Sequence, residues 1–136
     1  MTISLSTVGL LVIRDRKLLL AFSKNKQCFY LPGGKIDGDE SPEEALCREI
    51  AEELNVKLDS GDLEYYTHIS APAFGELNGV IMEQECFFVQ KNIDPRPTSE
   101  IGVIKFFTLS EYLDEEHTAP GAVMILKKLK LDNYID

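Results

Sequence analysis

Residues 41–56 constrain the chain more than any other stretch, because they can fold into little but a capped helix with one acidic face. Ser41-Pro42-Glu43-Glu44 supplies a capping serine, a proline at the first helical position and a glutamate three residues after the cap. That pattern is a capping box joined to a helix start signal. Leu46, Ile50 and Leu54 recur every four residues and give the helix an apolar stripe to bury. Asn55 stands where a left-handed residue would close the helix, a place where asparagine substitutes for glycine. The spacing predicts a helix over Pro42 to Leu54.

Glu49, Glu52 and Glu53 lie at i, i+3 and i+4 and so share one face of that helix. Carboxylates that close repel one another unless something positive sits among them. Hard divalent cations such as Mg²⁺ or Mn²⁺ suit that role, since they take oxygen ligands and bind phosphates together. The alternative is a solvated acidic face, as most charge runs are. A helix kept only for solubility has no use for Gly33-Gly34 ahead of it, for Arg48 among the acids, or for Glu40 upstream.

Gly34 to Val56 resembles the Nudix box, G-x5-E-x7-R-E-U-x-E-E-x-G-U, in which U is a bulky aliphatic residue. Gly34, Glu40, Arg48, Glu49, Ile50, Glu52, Glu53 and Val56 match, and Asn55 replaces the last glycine. By the capping argument this departure touches the local helix end and hardly the chemistry. Leu31-Pro32-Gly33-Gly34-Lys35-Ile36 is similar to the MutT-like branch. The resemblance implies an α/β fold, the Nudix α/β/α sandwich with a mixed β-sheet between helices. It also implies that Glu49, Glu52 and Glu53 hold Mg²⁺ (or Mn²⁺), with the Gly33 carbonyl as a further ligand. Glu53 is the foremost ligand, and Glu49 is the residue nearest the attacking water, as ligand or base. Bound metal would neutralise the transferring phosphoryl group and make water nucleophilic at neutral pH.

Arg48 and Glu40 read as an internal ion pair that holds loop and helix together, the alternative for Arg48 being a substrate phosphate. Ser41 and Asn55 are structural caps. Gly33 and Gly34 allow close approach to a ligand, and Lys35 either meets a phosphate or stands in solvent. Outside the box, Glu100 is a candidate further catalytic acid, with Glu76, Glu83 and Glu85 as weaker ones. Phe22, Lys24, Tyr66, His68, Phe74 and Met82 are candidates to line a base-binding site, since aromatics and methionine stack on bases. Lys24 and Phe74, with Gly34 and Lys35, are the candidate substrate contacts. Phe106-Phe107 reads as core.

At 136 residues the chain reads as one domain, 1–136, large enough for a real core. Hydrophobic and charged contents of 44% and 27% are those of a globular protein. No apolar run reaches the roughly 18–20 residues of a membrane span, and the N-terminus lacks a signal-peptide pattern. Cys28, Cys47 and Cys86 have no paired spacing and read as reduced thiols of a cytoplasmic protein. The net charge of −9 argues against nucleic-acid polymers as partners. It leaves a small nucleotide open, because bound cations reverse a local field. A homodimer is compatible with the resemblance, dimers being common in the family.

Hydrophobic patterning predicts a buried hairpin of Val8–Ile13 with Lys17–Phe22, turning at Arg14–Arg16. A short strand at Phe29–Leu31 runs into a sharp turn at Pro32–Gly34. Strands are expected over 63–70, 80–89 and 104–109, with 75–79 as a loop. A short helix capped by Ser110 and a C-terminal helix opened by Pro120 follow. Such an order suggests a mixed sheet covered on both faces.

Together these features point to a metal-dependent hydrolase of a nucleoside diphosphate-linked substrate. A (deoxy)nucleoside triphosphate cleaved to monophosphate and pyrophosphate is the leading reading. An ADP-ribose or nucleotide-sugar pyrophosphatase is the alternative, with Pro72, 16 residues past Val56, as a weak marker. A non-catalytic Nudix-fold nucleotide-binding module is the alternative of another class. Such modules usually lose a box acid, and all four box glutamates are present here.

Overall fold

The computed structural model describes residues 3–73, 79–98 and 101–136. They form strands β1 (Ile3–Leu11), β2 (Ile13–Arg14), β3 (Lys17–Ser23), β4 (Cys28–Tyr30), β5 (Gly33–Lys35), β6 (Leu63–Pro72), β7 (Val80–Val89) and β8 (Ile101–Phe107). The helices are α1 (Pro42–Leu54), α2 (Leu109–Leu113) and α3 (Pro120–Leu131). A mixed sheet runs β5-β1-β7-β6, in which β1 and β7 are parallel and the other pairs antiparallel. In a second sheet β3 pairs with β2, β4 and β8, all antiparallel.

Helices cover both sides. On one, Ala45, Leu46, Ile50 and Leu54 of α1 pack on Val8, Leu10, Val12 and Leu19. On the other, Ala122, Ile125, Leu126 and Leu129 of α3 pack with Leu11, Leu18, Leu20 and Phe107. Strands buried on both faces read as unbroken apolar runs rather than alternating ones. That accounts for Val8 to Leu11 and Leu18 to Ala21, each at most 1% exposed where apolar. The architecture is the α/β/α sandwich expected from the sequence.

Four local expectations need correction. The hairpin is shorter than the patterning suggests, since only Ile13 and Arg14 pair with Leu18 and Lys17. Asp15 and Arg16 both take positive φ, 51° and 60°, the backbone of a tight two-residue hairpin turn. The strand before them turns away at Val12 and pairs in parallel with β7, from Ile3–Val80 to Leu11–Phe88. Second, Gly33–Lys35 is a strand antiparallel to β1, where a sharp turn was expected. Third, β8 spans Ile101–Phe107, earlier than 104–109. Fourth, Thr108 and not Ser110 caps α2. Its Oγ1 accepts from the Glu111 amide at 3.2 Å, while a Glu111 carboxylate oxygen accepts from the Thr108 amide at 2.9 Å. Thr108-Leu-Ser-Glu111 is therefore the capping box of this helix.

At α1 the capping box is formed as spaced. The Ser41 side chain accepts from Glu44 N–H at 3.1 Å, and the Glu44 carboxylate accepts from Ser41 N–H at 2.9 Å. Asn55 closes the helix at φ 56° and ψ 38°. For a residue with a Cβ and no local polar side chain, that left-handed conformation costs about 1–2 kcal/mol. Asn55→Ala is expected to destabilise by about 1 kcal/mol and Asn55→Gly to change little, as read from urea unfolding midpoints. Equal midpoints for Asn55→Ala and the native chain would mean that the left-handed cap is not specified by this residue.

Candidate active site

The acidic face of α1 lies against the edge strand β5. Gly33 donates its N–H to Glu53 Oε1 at 2.8 Å, and Glu53 is only 8% exposed. Gly33 has φ +145°, and a Cβ there would run into the Val8 carbonyl. Only glycine fits that place without strain. At Gly34 the crowding comes from the site itself, since a Cβ would stand 2.6 Å from Glu49 Oε2. The two glycines thus let the strand backbone lie directly against Glu49 and Glu53.

Arg48 organises the loop ahead of the helix. Its Nε and Nη2 donate to Glu40 at 2.7 and 2.9 Å, a two-point contact. Nη2 also reaches the Lys35 carbonyl at 3.1 Å, and Asp37 lies 3.3 Å away. On its other side Nη1 donates to Glu49 at 2.9 Å and, at 3.5 Å, to Glu52. The predicted ion pair of Arg48 with Glu40 is present and extends to both neighbouring helix acids. Glu40 is pulled down to about 2, chiefly by the Arg48 hydrogen bond and then by the Asp37 amide. Burial pushes Glu49 up from its ordinary value, partly opposed by Arg48. Glu52 is more exposed than either neighbour.

Among the described residues no three acidic, histidine or cysteine side chains converge on one point. The donor set is nonetheless one that suits a hard divalent cation. It consists of carboxylate oxygens on one helix face, one of them buried and one half-buried, beside a strand backbone that can come close.

On the opposite side of β5 a pocket of about 170 Å³ opens between the mixed sheet and the start of α3. Gly33, Gly34 and Lys35 form one wall, and Thr7, Tyr30, Met82 and Gln84 line its interior, with Lys26 beside them. Of the residues expected to line a base site, the structure brings Met82 here. Lys24 instead lies along Gly102, 3.4 Å from where a Cβ would stand. Phe22 stacks on Phe29, Tyr66 on Phe88 and Tyr134, and His68 lies between Glu83 and Glu85. Phe74, Glu76 and Glu100 lie outside the described residues. Gln84 was missed. The available signal was its phase, two residues from Met82 and from Cys86 in an alternating strand.

Comparison with known proteins bears on the family and the fold. A family model described as NUDIX domain matches residues 4–127. A MutT-like protein of Streptomyces ambofaciens is 33% identical over 60 residues, which cover 44% of this chain and 39% of that protein. The aligned part is thus well under half of that relative's length. Among solved structures, the MutT NUDIX hydrolase of Burkholderia pseudomallei is similar with a TM-score of 0.75 and 23% identity, over 93% of this chain and 98% of that one. An ADP-ribose pyrophosphatase of Streptococcus suis is similar with a TM-score of 0.63 and 17% identity, over 97% and 96%. At such identities the structural likeness concerns the fold.

The Glu40–Arg48 contact has a pH signature. A carboxyl lowered on folding contributes stability above its ordinary value of 4.5, and that contribution disappears as pH falls toward about 2. Urea midpoints of the native chain and Glu40→Gln are expected to differ by a constant amount above pH 4.5 and to converge below it. A gap that stays constant down to pH 2 would show that the ionised form of Glu40 is not what holds the loop.

Proposed function

Since the chain belongs to the Nudix family, whose members generally use divalent metal ions and act on small nucleotide substrates, we propose that it is a pyrophosphohydrolase of nucleoside diphosphate-linked compounds. Its proposed substrate is a (deoxy)nucleoside triphosphate, hydrolysed to the monophosphate and pyrophosphate. The observation that carries this reading is the shared wall at Gly33-Gly34. Glu49 and Glu53 lie against it on one side and the pocket opens against it on the other. A phosphate chain crossing this edge would have its ring in the pocket and its anhydride at the acids. The triphosphate is preferred over ADP-ribose or a nucleotide sugar on the MutT-like segment Leu31-Pro32-Gly33-Gly34-Lys35-Ile36.

In this reading Glu49, Glu52 and Glu53 hold Mg²⁺ or Mn²⁺, with the Gly33 carbonyl as a further ligand. When bound, the metal supplies charge neutralisation at the phosphoryl group and lowers the pKa of water. Glu49 is the group nearest the attacking water and accepts its proton, and its burial raises its proton affinity toward that task. Arg48 holds Glu49 in place and ties it to the loop at Glu40. Lys35 and Lys26 at the pocket bring positive charge to a chain of net charge −9, where a polyphosphate needs it. Phe74 and Glu100 keep the substrate and catalytic roles expected from sequence, while Lys24 lies along Gly102 and away from the pocket lining.

A panel of dNTPs, 8-oxo-dGTP, ADP-ribose, nucleotide sugars and dinucleoside polyphosphates tests this function. Pyrophosphate release from a triphosphate is expected with Mg²⁺ and its loss with EDTA. Glu53→Gln keeps an oxygen for the Gly33 amide and is expected to fold normally, with turnover at least about a hundredfold lower. Native turnover by this variant would sink the assignment of Glu53. Turnover of ADP-ribose alone would replace the substrate class.

Gly34→Ala probes Glu49 without altering it. The carboxylate is the end of a flexible chain and can move aside, so melting temperature should shift little. A catalytic group displaced by about 1 Å costs on the order of 10²-fold in turnover. Unchanged kcat in a well-folded Gly34→Ala protein would place Glu49 outside the chemistry.

A further inference from the structure

Gln84 is a buried side chain without a structural task that explains its amide. It sits on β7 between Met82 and Cys86, on the face that looks toward α3, and is 7% exposed. Its neighbours Glu83 and Glu85 point to the other face, where they hold His68 and Ser70. Among the described residues, Oε1 of Gln84 accepts only a weak contact from the Cys86 thiol at 3.8 Å. Its amide nitrogen has no acceptor among the described residues. No described buried side-chain nitrogen or oxygen is both sealed from solvent and unbonded, so this amide reaches the pocket that the residue lines.

Its surroundings are shaped for this. Gly9 on β1 lies beside it, and a Cβ there would come within 3.2 Å of Gln84 Cδ. The missing side chain lets the carboxamide lie over the strand. Thr7, the register partner of Gln84 on β1, is also 7% exposed and lines the same pocket. Its hydroxyl donates to the Glu83 carbonyl at 3.2 Å, which leaves oxygen lone pairs as acceptors. The pocket therefore offers a donor beside an acceptor at its inner end. Its sides are the Tyr30 ring and the Met82 thioether, surfaces suited to a flat ring. The roof is held by Tyr112, whose hydroxyl accepts from the Ala119 amide at 2.9 Å and donates to the Phe29 carbonyl.

We propose that Gln84, with Thr7 beside it, reads the hydrogen-bonding edge of the substrate's nucleobase in this pocket and sets the base preference of the enzyme. The matching edge carries an acceptor next to an N–H donor, as the pairing edge of each nucleobase does. This inference rests on the nucleotide-hydrolase reading, and its test separates the two.

The experiment compares native protein, Gln84→Leu and Thr7→Val. For each it measures kcat and KM on ATP, GTP, CTP and UTP with Mg²⁺, and Kd for the four α,β-methylene analogues. Melting curves check the fold, and Thr7→Val, nearly isosteric, carries the test if Gln84→Leu does not fold. Loss of the amide is expected to lower kcat/KM for the preferred nucleotide about tenfold or more. The loss should fall mainly on KM, with the spread among the four bases flattened and the analogues following in Kd. A uniform fall across all four bases, or an unchanged profile, would overturn the role of Gln84. Selective binding of the analogues without any turnover in the native protein would overturn the hydrolase reading while leaving the base-reading role in place. No binding of any analogue would overturn both.

Discussion

The hydrogen bond from the Gly33 amide to Glu53 holds the site together. Glu53 is placed where a carboxylate is least comfortable, buried and in the last turn of a helix whose C-terminal end is negative. No basic residue of that turn compensates it. A charge-assisted bond from a strand amide does so in part. The helix end is finished by the chain that follows β7, where Thr98 N–H meets the Glu53 carbonyl at 3.0 Å and Arg96 N–H meets the Leu54 carbonyl at 2.9 Å. The same residue is thus fixed at its side chain by β5 and at its backbone by residues 96–98. Such double anchoring locates an acid that repulsion from Glu49 and Glu52 would otherwise push outward.

Charge sets the second constraint. Asp37, Glu40, Glu49 and Glu52 surround the single guanidinium of Arg48, so the cluster is negative even with every contact made. Glu40 takes the best geometry, two short bonds, and is the acid most strongly held in its ionised form. Glu49 receives one bond and is also more buried, and the burial cost outweighs the help. One arginine therefore lowers both carboxylates, and burial at Glu49 still carries the two apart. It makes a fixed anchor of Glu40 and leaves the more desolvated Glu49 basic. Separated proton affinities of this kind mark the difference between a structural and a chemical carboxylate.

What the sequence disclosed was what is local. The capping box, the apolar stripe of Leu46, Ile50 and Leu54, and the closing Asn55 all act within a few residues, and all appear where the spacing put them. The hairpin turn at Asp15-Arg16 is local as well. The strand beyond it was misread because its true partner, β7, lies far along the chain, and an unbroken apolar run does not say which strand it pairs with. Gly33-Gly34 looked like a turn for the same reason, as a three-residue strand has too few side chains to show a period. Thr108 was overlooked in favour of Ser110 although its spacing to Glu111 is the capping spacing. That error was one of reading and not of missing information.

Gln84 and Thr7 belong to the non-local class, and this explains why the helix motif announces a chemistry and says nothing of a substrate. The groups proposed to meet phosphate lie within one helix and the strand before it, so their spacing in sequence is fixed by their spacing in space. The groups that line the pocket come from β1, β4, β7 and the start of α3, brought together only by the sheet and by the Tyr112 bonds. The thin wall of β5 stands between them. A change on β7 can reshape the pocket without touching the anchors of Glu53 and Glu49, which are the Gly33 amide and Arg48. In the proposed reading chemistry and selectivity are thereby free to vary separately, because the strand between them carries no side chain at Gly33 or Gly34.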